Sequence, residues 1–479
     1  MPGGSSVAVV GGGISGLAAA YRLRRLLGPE ARITLIEGSP RLGGAVRTVE
    51  LAGTPYDIGA EAFLVRRPEA AALASELGLG DQVVHPTPVG PMVRAGGRTV
   101  ALPRRTVMGV PADPGEVAAV LSQRGLARLA AEPGTPLRWE PGADVAVGQL
   151  VRRHCGDEVV ERLVDPLLGG VYAGRADALG LRATLPGLAG ALDRGFGSVR
   201  AAAAEVLPPA APGPVFGALR DGLGRLVDAL VDAAALVLRL GAPVRALSRR
   251  PLVSGHASRD SNRQSQGGWR LELGSAAAPE HLDVDAVLLA VPAPALRRLL
   301  DGIAPAASTA AGTVGVASSV VVGLALPADA AETLPAASGV LIGSAEPLTA
   351  KAFTFSSRKW AHARGDGVLL VRGSLGRHGE VSALQRDDAE LVAAVRDDLA
   401  ALTGVTAEPI DAVVARWGGG LPQYAPGHLD TVATIESAVA AQPGLAVAGA
   451  TLHGVGIPAC VATADAAAER IAAHLHRAR

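Results

Sequence analysis

Two cysteines, almost no lysine and an aromatic content of 3% set the first limits on this chain of 479 residues. Cys155 and Cys460 stand far apart and neither belongs to a C-x-x-C pair, so neither a disulfide framework nor a cysteine zinc site is expected. No metal site of another kind is indicated, and a reducing cytoplasm is the simplest setting. Formal net charge is zero, with 45 basic and 45 acidic residues, which removes the broad positive field that a nucleic-acid binder needs. Among the basic residues only Lys351 and Lys359 are lysines, and the arginine, alanine and glycine bias reflects a GC-rich genome. No run of about 18 uncharged apolar residues occurs, so no membrane span is expected. No charged lead precedes an apolar stretch at the N-terminus, which argues against a secretory signal. At most the chain touches the inner face of a membrane peripherally. With 49% hydrophobic residues, its length is enough for two or three domains with substantial cores.

The most informative segment comes first. The apolar strand Val7-Ala8-Val9-Val10 runs into Gly11-Gly12-Gly13-Ile14-Ser15-Gly16, which fits G-x-G-x-x-G, and then into a helical pattern from Leu17. In a βαβ unit Gly11 makes the tight turn, Gly13 admits a pyrophosphate, and Gly16 lets helix pack on strand. A second strand, Ile33-Thr34-Leu35-Ile36, ends in Glu37, whose carboxylate suits ribose hydroxyls and repels a 2′-phosphate. Alone, such a glycine run is a weak signal in a chain with 61 glycines. Strand before, helix after and acid at the right distance make chance a poor explanation. Arg41-Leu42-Gly43-Gly44 then follows the acid, an R-x-G-G pattern that resembles the extended FAD fingerprint of the flavin amine oxidase and desaturase superfamily.

Further pieces of the same unit are scattered along the chain. Residues 222–230 open an amphipathic helix leading to a strand near Val244; a hairpin begins at Trp269, after a polar, exposed loop over 254–268. Asp285 to Pro292 and Leu445 to Ala450 read as buried parallel strands, the second followed by a helix from about Ala462 to Arg477. Residues 110–200 are mainly helical by apolar spacing, and residues 293–425 suit a mixed sheet.

Three later motifs narrow the family: Asp165-Pro166-Leu167-Leu168-Gly169-Gly170-Val171-Tyr172-Ala173-Gly174, then Trp417-Gly418-Gly419-Gly420-Leu421-Pro422-Gln423-Tyr424 with Gly427-His428, and Gly454-Val455-Gly456-Ile457-Pro458. Over nearly its whole length the chain resembles the bacterial porphyrinogen oxidases, which include coproporphyrinogen and protoporphyrinogen oxidases. The resemblance implies an α/β fold: a discontinuous FAD-binding Rossmann-like domain (residues 1–57, 206–292 and 426–479), an α+β substrate domain (58–109 and 293–425) and a helical insertion (110–205). It implies noncovalent FAD held by Gly11, Gly12, Gly13, Ile14, Ser15, Gly16, Glu37, Arg41, Gly43, Gly44, Gly59, Ala60, Glu61, Ala62, Val244, Trp417, Gly449, Val455, Gly456 and Ile457. Backbone N–H groups around Gly454 to Gly456 would face the pyrimidine edge of the flavin, where negative charge gathers on reduction. Gly170 and Tyr172 would line the tetrapyrrole pocket, with Tyr172 equally able to serve as a core aromatic.

No catalytic side chain is implied, since flavin N5 carries the chemistry. His453 is read as a bystander, and Cys460 resembles the flavin-linking cysteine of amine oxidases only superficially. Arg66, Arg94, Arg98, Arg175 and Arg182 are all candidates for substrate carboxylates, and none is singled out. The implied reaction is six-electron oxidation of coproporphyrinogen III in haem biosynthesis, with molecular oxygen as acceptor and hydrogen peroxide as product. Protoporphyrinogen IX is the alternative substrate. An amine oxidase or carotenoid-type desaturase shares the N-terminal fingerprint but lacks the later motifs, and a dinucleotide-fold prenyl-carrier-like protein would bind no flavin.

Overall fold

The computed structural model describes residues 4–207, 213–250, 268–364 and 367–478. Its centre is a parallel sheet of five short strands in the order Val237–Arg239, Arg32–Ile36, Ser6–Val10, Ala286–Leu289 and Leu445–Val447. Distant stretches of chain supply them, because each is a short apolar run, and such runs are stable as parallel strands only when covered on both faces. Alternate residues serve opposite layers. Val7 and Val9 pack with the helices Ile14–Leu27, Gly224–Ala234 and Ile457–Arg477. Ala8 and Val10 pack against an antiparallel sheet of Val244–Arg249, Trp269–Ser275 and Ala278–Val284.

A second, seven-stranded sheet has the order Asp411–Gln423, Gly315–Pro327, Val368–Leu375, Ala350–Thr354, Gly339–Ile342, Met92–Ala95 and Arg98–Ala101. All its neighbours run antiparallel except Gly339–Ile342 beside Met92–Ala95. One face is closed by helix Asp388–Thr403, whose Leu391 and Val395 pack on Val322, Val371 and Phe353. On the other face Val321, Leu370 and Ala415 cover Leu51 and Tyr56. Beyond that contact Leu341, Ala352 and Ser374, adjacent in register, stay only partly buried. That strip is left uncovered by either packing.

Helices dominate residues 123–206. A rod that starts at Asp157 widens into a π-helical turn at Val160–Val164 and continues as Asp165–Tyr172. The wider turn accommodates Pro166, which has no N–H to give to the preceding turn. Tyr172 is thus the last helical residue rather than part of a turn; the chain leaves the helix at Ala173, in left-handed conformation with φ 47°. The C-terminal helix begins at Ile457, earlier than apolar spacing alone suggests, because Gly456 caps it and Pro458 fits its first turn. The loop expected at 254–268 falls, except for Gly268, outside the described residues. Among the described residues no helix is long and apolar enough to cross a membrane.

The hairpin Thr48–Leu51/Thr54–Asp57 links the first sheet to the second, and one carboxylate anchors it. Asp57 accepts hydrogen bonds from the Thr48 hydroxyl at 2.5 Å and the Leu223 N–H at 3.0 Å, while Thr48 Oγ1 accepts from the Gly224 N–H at 2.8 Å. Burial raises the Asp57 carboxyl to about 6 against those hydrogen bonds. A raised folded-state value contributes stability fully present below the unfolded carboxyl range and lost as pH rises through about 6. Asp57→Asn should therefore remove one proton's worth of the fall in stability between about pH 4 and 6. Thermal melts of both proteins across that window check it; parallel curves would refute it.

Candidate functional site

The glycine turn and the R-x-G-G turn close on one another at the C-terminal edge of the parallel strands. The Gly11 N–H donates to Ile36 O at 2.8 Å with φ +107°, a conformation that a side chain would strain. Gly43 N–H donates to Gly12 O at 2.8 Å, and Gly13 bridges Gly43. A Cβ on Gly16 would stand 1.8 Å from Gly11 O, and one on Gly12 would stand 2.6 Å from Leu42 Cδ2. At Gly13 the nearest atom, Gly44 Cα, is 3.9 Å away, so the turn is tight everywhere except over Gly13. Gly13 is also the N-cap of helix Ile14–Leu27, and no side chain caps that helix. An open space over uncapped helix N–H groups fits a phosphate.

Glu37, the acid expected at the ribose, is held in place by the same turn. Glu37 Oε2 accepts from Gly12 N–H at 2.7 Å and Oε1 from Ser39 N–H at 2.8 Å, leaving further lone pairs for hydroxyls. Val244 is near this loop: the preceding Pro243 lies 3.6 Å from a Cβ built on Gly38, but the Val244 side chain turns into the core and its carbonyl takes Arg298 Nη2. Only its backbone is left to meet a ligand. Arg41 folds back on its own turn, donating to Leu42 O and Gly44 O, and lies 5.6 Å from the Trp417 ring centre.

Trp417 connects this cradle to the second sheet. Its Nε1 donates to Ile58 O at 3.3 Å, and a Cβ on Gly59 would meet its ring at 3.1 Å. Ala60 N–H donates to Ala45 O at 2.8 Å, tying residues 59–62 to the R-x-G-G turn. Glu61 lies between Lys359, which donates to it, and Arg372 at 3.6 Å. Burial alone would raise the Glu61 carboxyl, but the charges of Lys359 and Arg372 overcome it and hold the group below its usual value. Arg372 also donates to Gly59 O at 2.6 Å and Asp57 O at 3.2 Å.

On the opposite side the strand expected to run to Ala450 stops at Val447, and Gly449, two residues on, donates its N–H to Thr463 Oγ1 at 3.0 Å, beside Ser15. Gly456 is the exposed N-cap of the last helix and has no side-chain cap, so the Val455 to Ile457 backbone offers a second open helix N-terminus. Gly170 and Val171 are exposed, and Leu341 is the nearest side chain to a Cβ built on Gly170. Tyr172 is buried and tilts against Tyr424, which in turn stacks on His428 at 4.0 Å. His453 is exposed and paired with Glu436 at 2.7 Å. Cys460 is buried, and burial pushes its thiol up. Arg94, Arg175 and Arg182 are engaged by Glu346, Glu380 and Asp193, while Arg66 and Arg98 are exposed.

Sequence reasoning missed Lys359, Arg372 and the buried Lys351. The signal was the lysine scarcity: both lysines of an otherwise arginine-based chain stand on or beside the second sheet next to this site. Two glycine variants separate cofactor binding from folding. Gly13→Val projects into space that the protein leaves open, so the far-ultraviolet spectrum should persist while bound dinucleotide drops at least about tenfold. Gly16→Ala drives a methyl into Gly11 O and should lower the melting temperature or abolish folding. Full cofactor content in Gly13→Val would remove the turn from the site.

The family profile for flavin containing amine oxidoreductase matches residues 14–472. The chain is 47% identical over 462 residues to the coproporphyrinogen III oxidase of Mycobacterium tuberculosis, covering 96% of each protein, and 45% identical to that of Mycobacterium leprae, covering 98% of this chain and 99% of the other. It is similar to the crystal structure of a putative protoporphyrinogen oxidase from Exiguobacterium sp. 255-15, with TM-score 0.82, 28% identity, and coverage of 98% of this chain and 99% of that one. The two turns, the ribose acid and the open helix ends suit one large dinucleotide, FAD. The chain belongs to the flavin containing amine oxidoreductase family and is an FAD-dependent oxidoreductase.

Proposed function

We propose that the chain oxidises coproporphyrinogen III to coproporphyrin III, passing six electrons to three molecules of oxygen and giving three of hydrogen peroxide. The near full-length likeness to the two mycobacterial proteins named coproporphyrinogen III oxidase carries this reading. When bound, FAD supplies a two-electron acceptor for each round. The Gly11 to Gly16 turn with Gly43 and Gly44 would hold the pyrophosphate, Glu37 the ribose, and Val455 to Ile457 the pyrimidine edge. Trp417 and residues 59–62 would border the ring system, and Arg41 would brace its own turn. Leu341, Ala352, Gly170 and Val171 offer an apolar wall to a flat macrocycle and keep water from it. Tyr172 would support that wall from the core through Tyr424.

The same reading makes the cofactor noncovalent. Cys460 is buried in the first turn of the last helix with its thiol held protonated by burial, a poor nucleophile. Acid precipitation should leave the yellow colour in the supernatant, and colour kept in the pellet would contradict it. We place the protein in the cytoplasm with at most peripheral membrane contact; recovery only in detergent would overturn that placement.

Protoporphyrinogen IX is the second reading, favoured by the likeness to the Exiguobacterium protein named as a putative protoporphyrinogen oxidase. The two substrates differ in carboxylate number, four against two. Each additional carboxylate bound by a cation contributes a charge-assisted hydrogen bond, so kcat/KM for coproporphyrinogen III should exceed that for protoporphyrinogen IX by about tenfold or more. Anaerobic mixing with each porphyrinogen, followed by initial rates in saturating oxygen, decides between them. Faster turnover of the divinyl substrate would reverse the assignment.

A further inference from the structure

We propose that Lys351 and Arg377 form a carboxylate subsite beside the partly buried strip of the second sheet, taking one propionate of the tetrapyrrole. The inference rests on the porphyrinogen reading above and adds a binding site to it.

Backbone geometry puts Lys351 there. Strand Ala350–Thr354 pairs Ala350 with Leu375 and Ala352 with Ser374, leaving Lys351 in a bulge, and a bulge re-aims its side chain out of the regular alternation. The ammonium donates to Gly376 O at 2.8 Å, and no described carboxylate forms an ion pair with it. One of its three donors is used. The next residue along from Gly376 is Arg377, half-buried, whose guanidinium makes no hydrogen bond or ion pair with any described residue. Glu380, the nearby acid, is committed to Arg175 at 2.6 Å.

The recess lies between the two halves of the site. His378 N–H donates to Ala173 O at 2.7 Å, which joins the Gly376 to His378 loop to the segment just after Gly170 and Tyr172. On the other side Arg372, in the strand paired with Ala350–Thr354, reaches Gly59 O in the segment that borders the flavin. Leu341, Ala352 and Ser374 make the partly buried strip between them.

Charge in the recess is unbalanced. Burial comes first, and the positive charges of Arg377 and Arg372 come next, in lowering Lys351 to about 7, with Glu380 opposing. Arg377 in turn is lowered by burial and Arg175 and supported by Glu380 and Asp165. These are the charged groups that face the pair from the partner strand, the following loop and the helical segment. A carboxylate supplies the anion that this arrangement lacks, and two cations in reach of it give charge-assisted hydrogen bonds. The residue type matters too. An arginine stays charged at all relevant pH, whereas burial lowers Lys351 to about 7 and an arriving carboxylate favours its charged form.

Coproporphyrin III, the unreactive product, is the probe: its fluorescence is titrated against FAD-loaded wild type, Lys351→Met, Lys351→Arg and Arg377→Met at pH 6 and 8.5. Lys351→Met and Arg377→Met should each raise Kd by about tenfold or more. Wild-type affinity should fall between pH 6 and 8.5, and Lys351→Arg should keep its affinity at pH 8.5 because its charge persists. Arg377 is half-buried and unpaired, so Arg377→Met tests the subsite even where a Lys351 variant fails to fold. Kd unchanged within about twofold in folded, FAD-replete Arg377→Met and Lys351→Met, with wild type still oxidising coproporphyrinogen, overturns the subsite alone. A wild type that neither binds coproporphyrin nor oxidises coproporphyrinogen overturns the functional reading and the subsite together.

Discussion

Glu61, held between Lys359 and Arg372, joins the dinucleotide unit to the seven-stranded sheet. The acid follows the hairpin that leaves the dinucleotide unit; the cations belong to the second sheet and its loop. All three side chains are largely shielded from water, so the attraction is strong and the desolvation penalty is large. Removing one partner would leave a buried charge unanswered and cost about 3–5 kcal/mol. Through Arg372 the same network pins the Asp57 and Gly59 carbonyls, and through Gly59 it fixes the face on which Trp417 rests. The position of the seven-stranded sheet relative to the glycine turn depends on this contact.

Around that point the chain arranges charge unevenly. A net charge of zero over the whole chain conceals a local excess of cations beside the second sheet, where Lys351, Lys359, Arg175, Arg372 and Arg377 outnumber Glu61, Glu380 and Asp165. An apolar wall from Leu341 and Val171 beside such a face suits a ligand that is flat and greasy at its centre and anionic at its edge. The uncapped helices at Gly13 and Gly456 add positive ends of peptide dipoles from the other side. Both features favour anions.

Much of this was legible in the residues. The strand, glycine turn, helix and acid of residues 7–37 follow rules of local sterics, so their places could be read by spacing, and the buried strands at 286–289 and 445–447 are too apolar to be anything exposed. The start of the last helix was harder, because Gly454 to Pro458 reads as a turn until Gly456 is seen to cap the helix. Tyr172 could be placed on a motif, but not on a helix end facing Tyr424, since that depends on a π-helical turn several residues earlier. The five arginines considered for substrate were all local guesses. Three are spent on carboxylates, two of them 252 and 205 positions away, and the unpaired Arg377 was not among them.

What the sequence determined by itself is the set of conditions that neighbours along the chain impose: where glycine alone fits, which runs must be buried, and that an acid rather than an arginine follows the second strand. Tertiary structure decided which charges meet. Glu61 and Lys359 are 298 positions apart, and Arg372 reaches Gly59 across 313. The bulge that turns Lys351 aside exists only in the pairing with Leu375 and Ser374. Coulomb energy depends on distance and on exclusion of water, and neither is a property of a residue's local window.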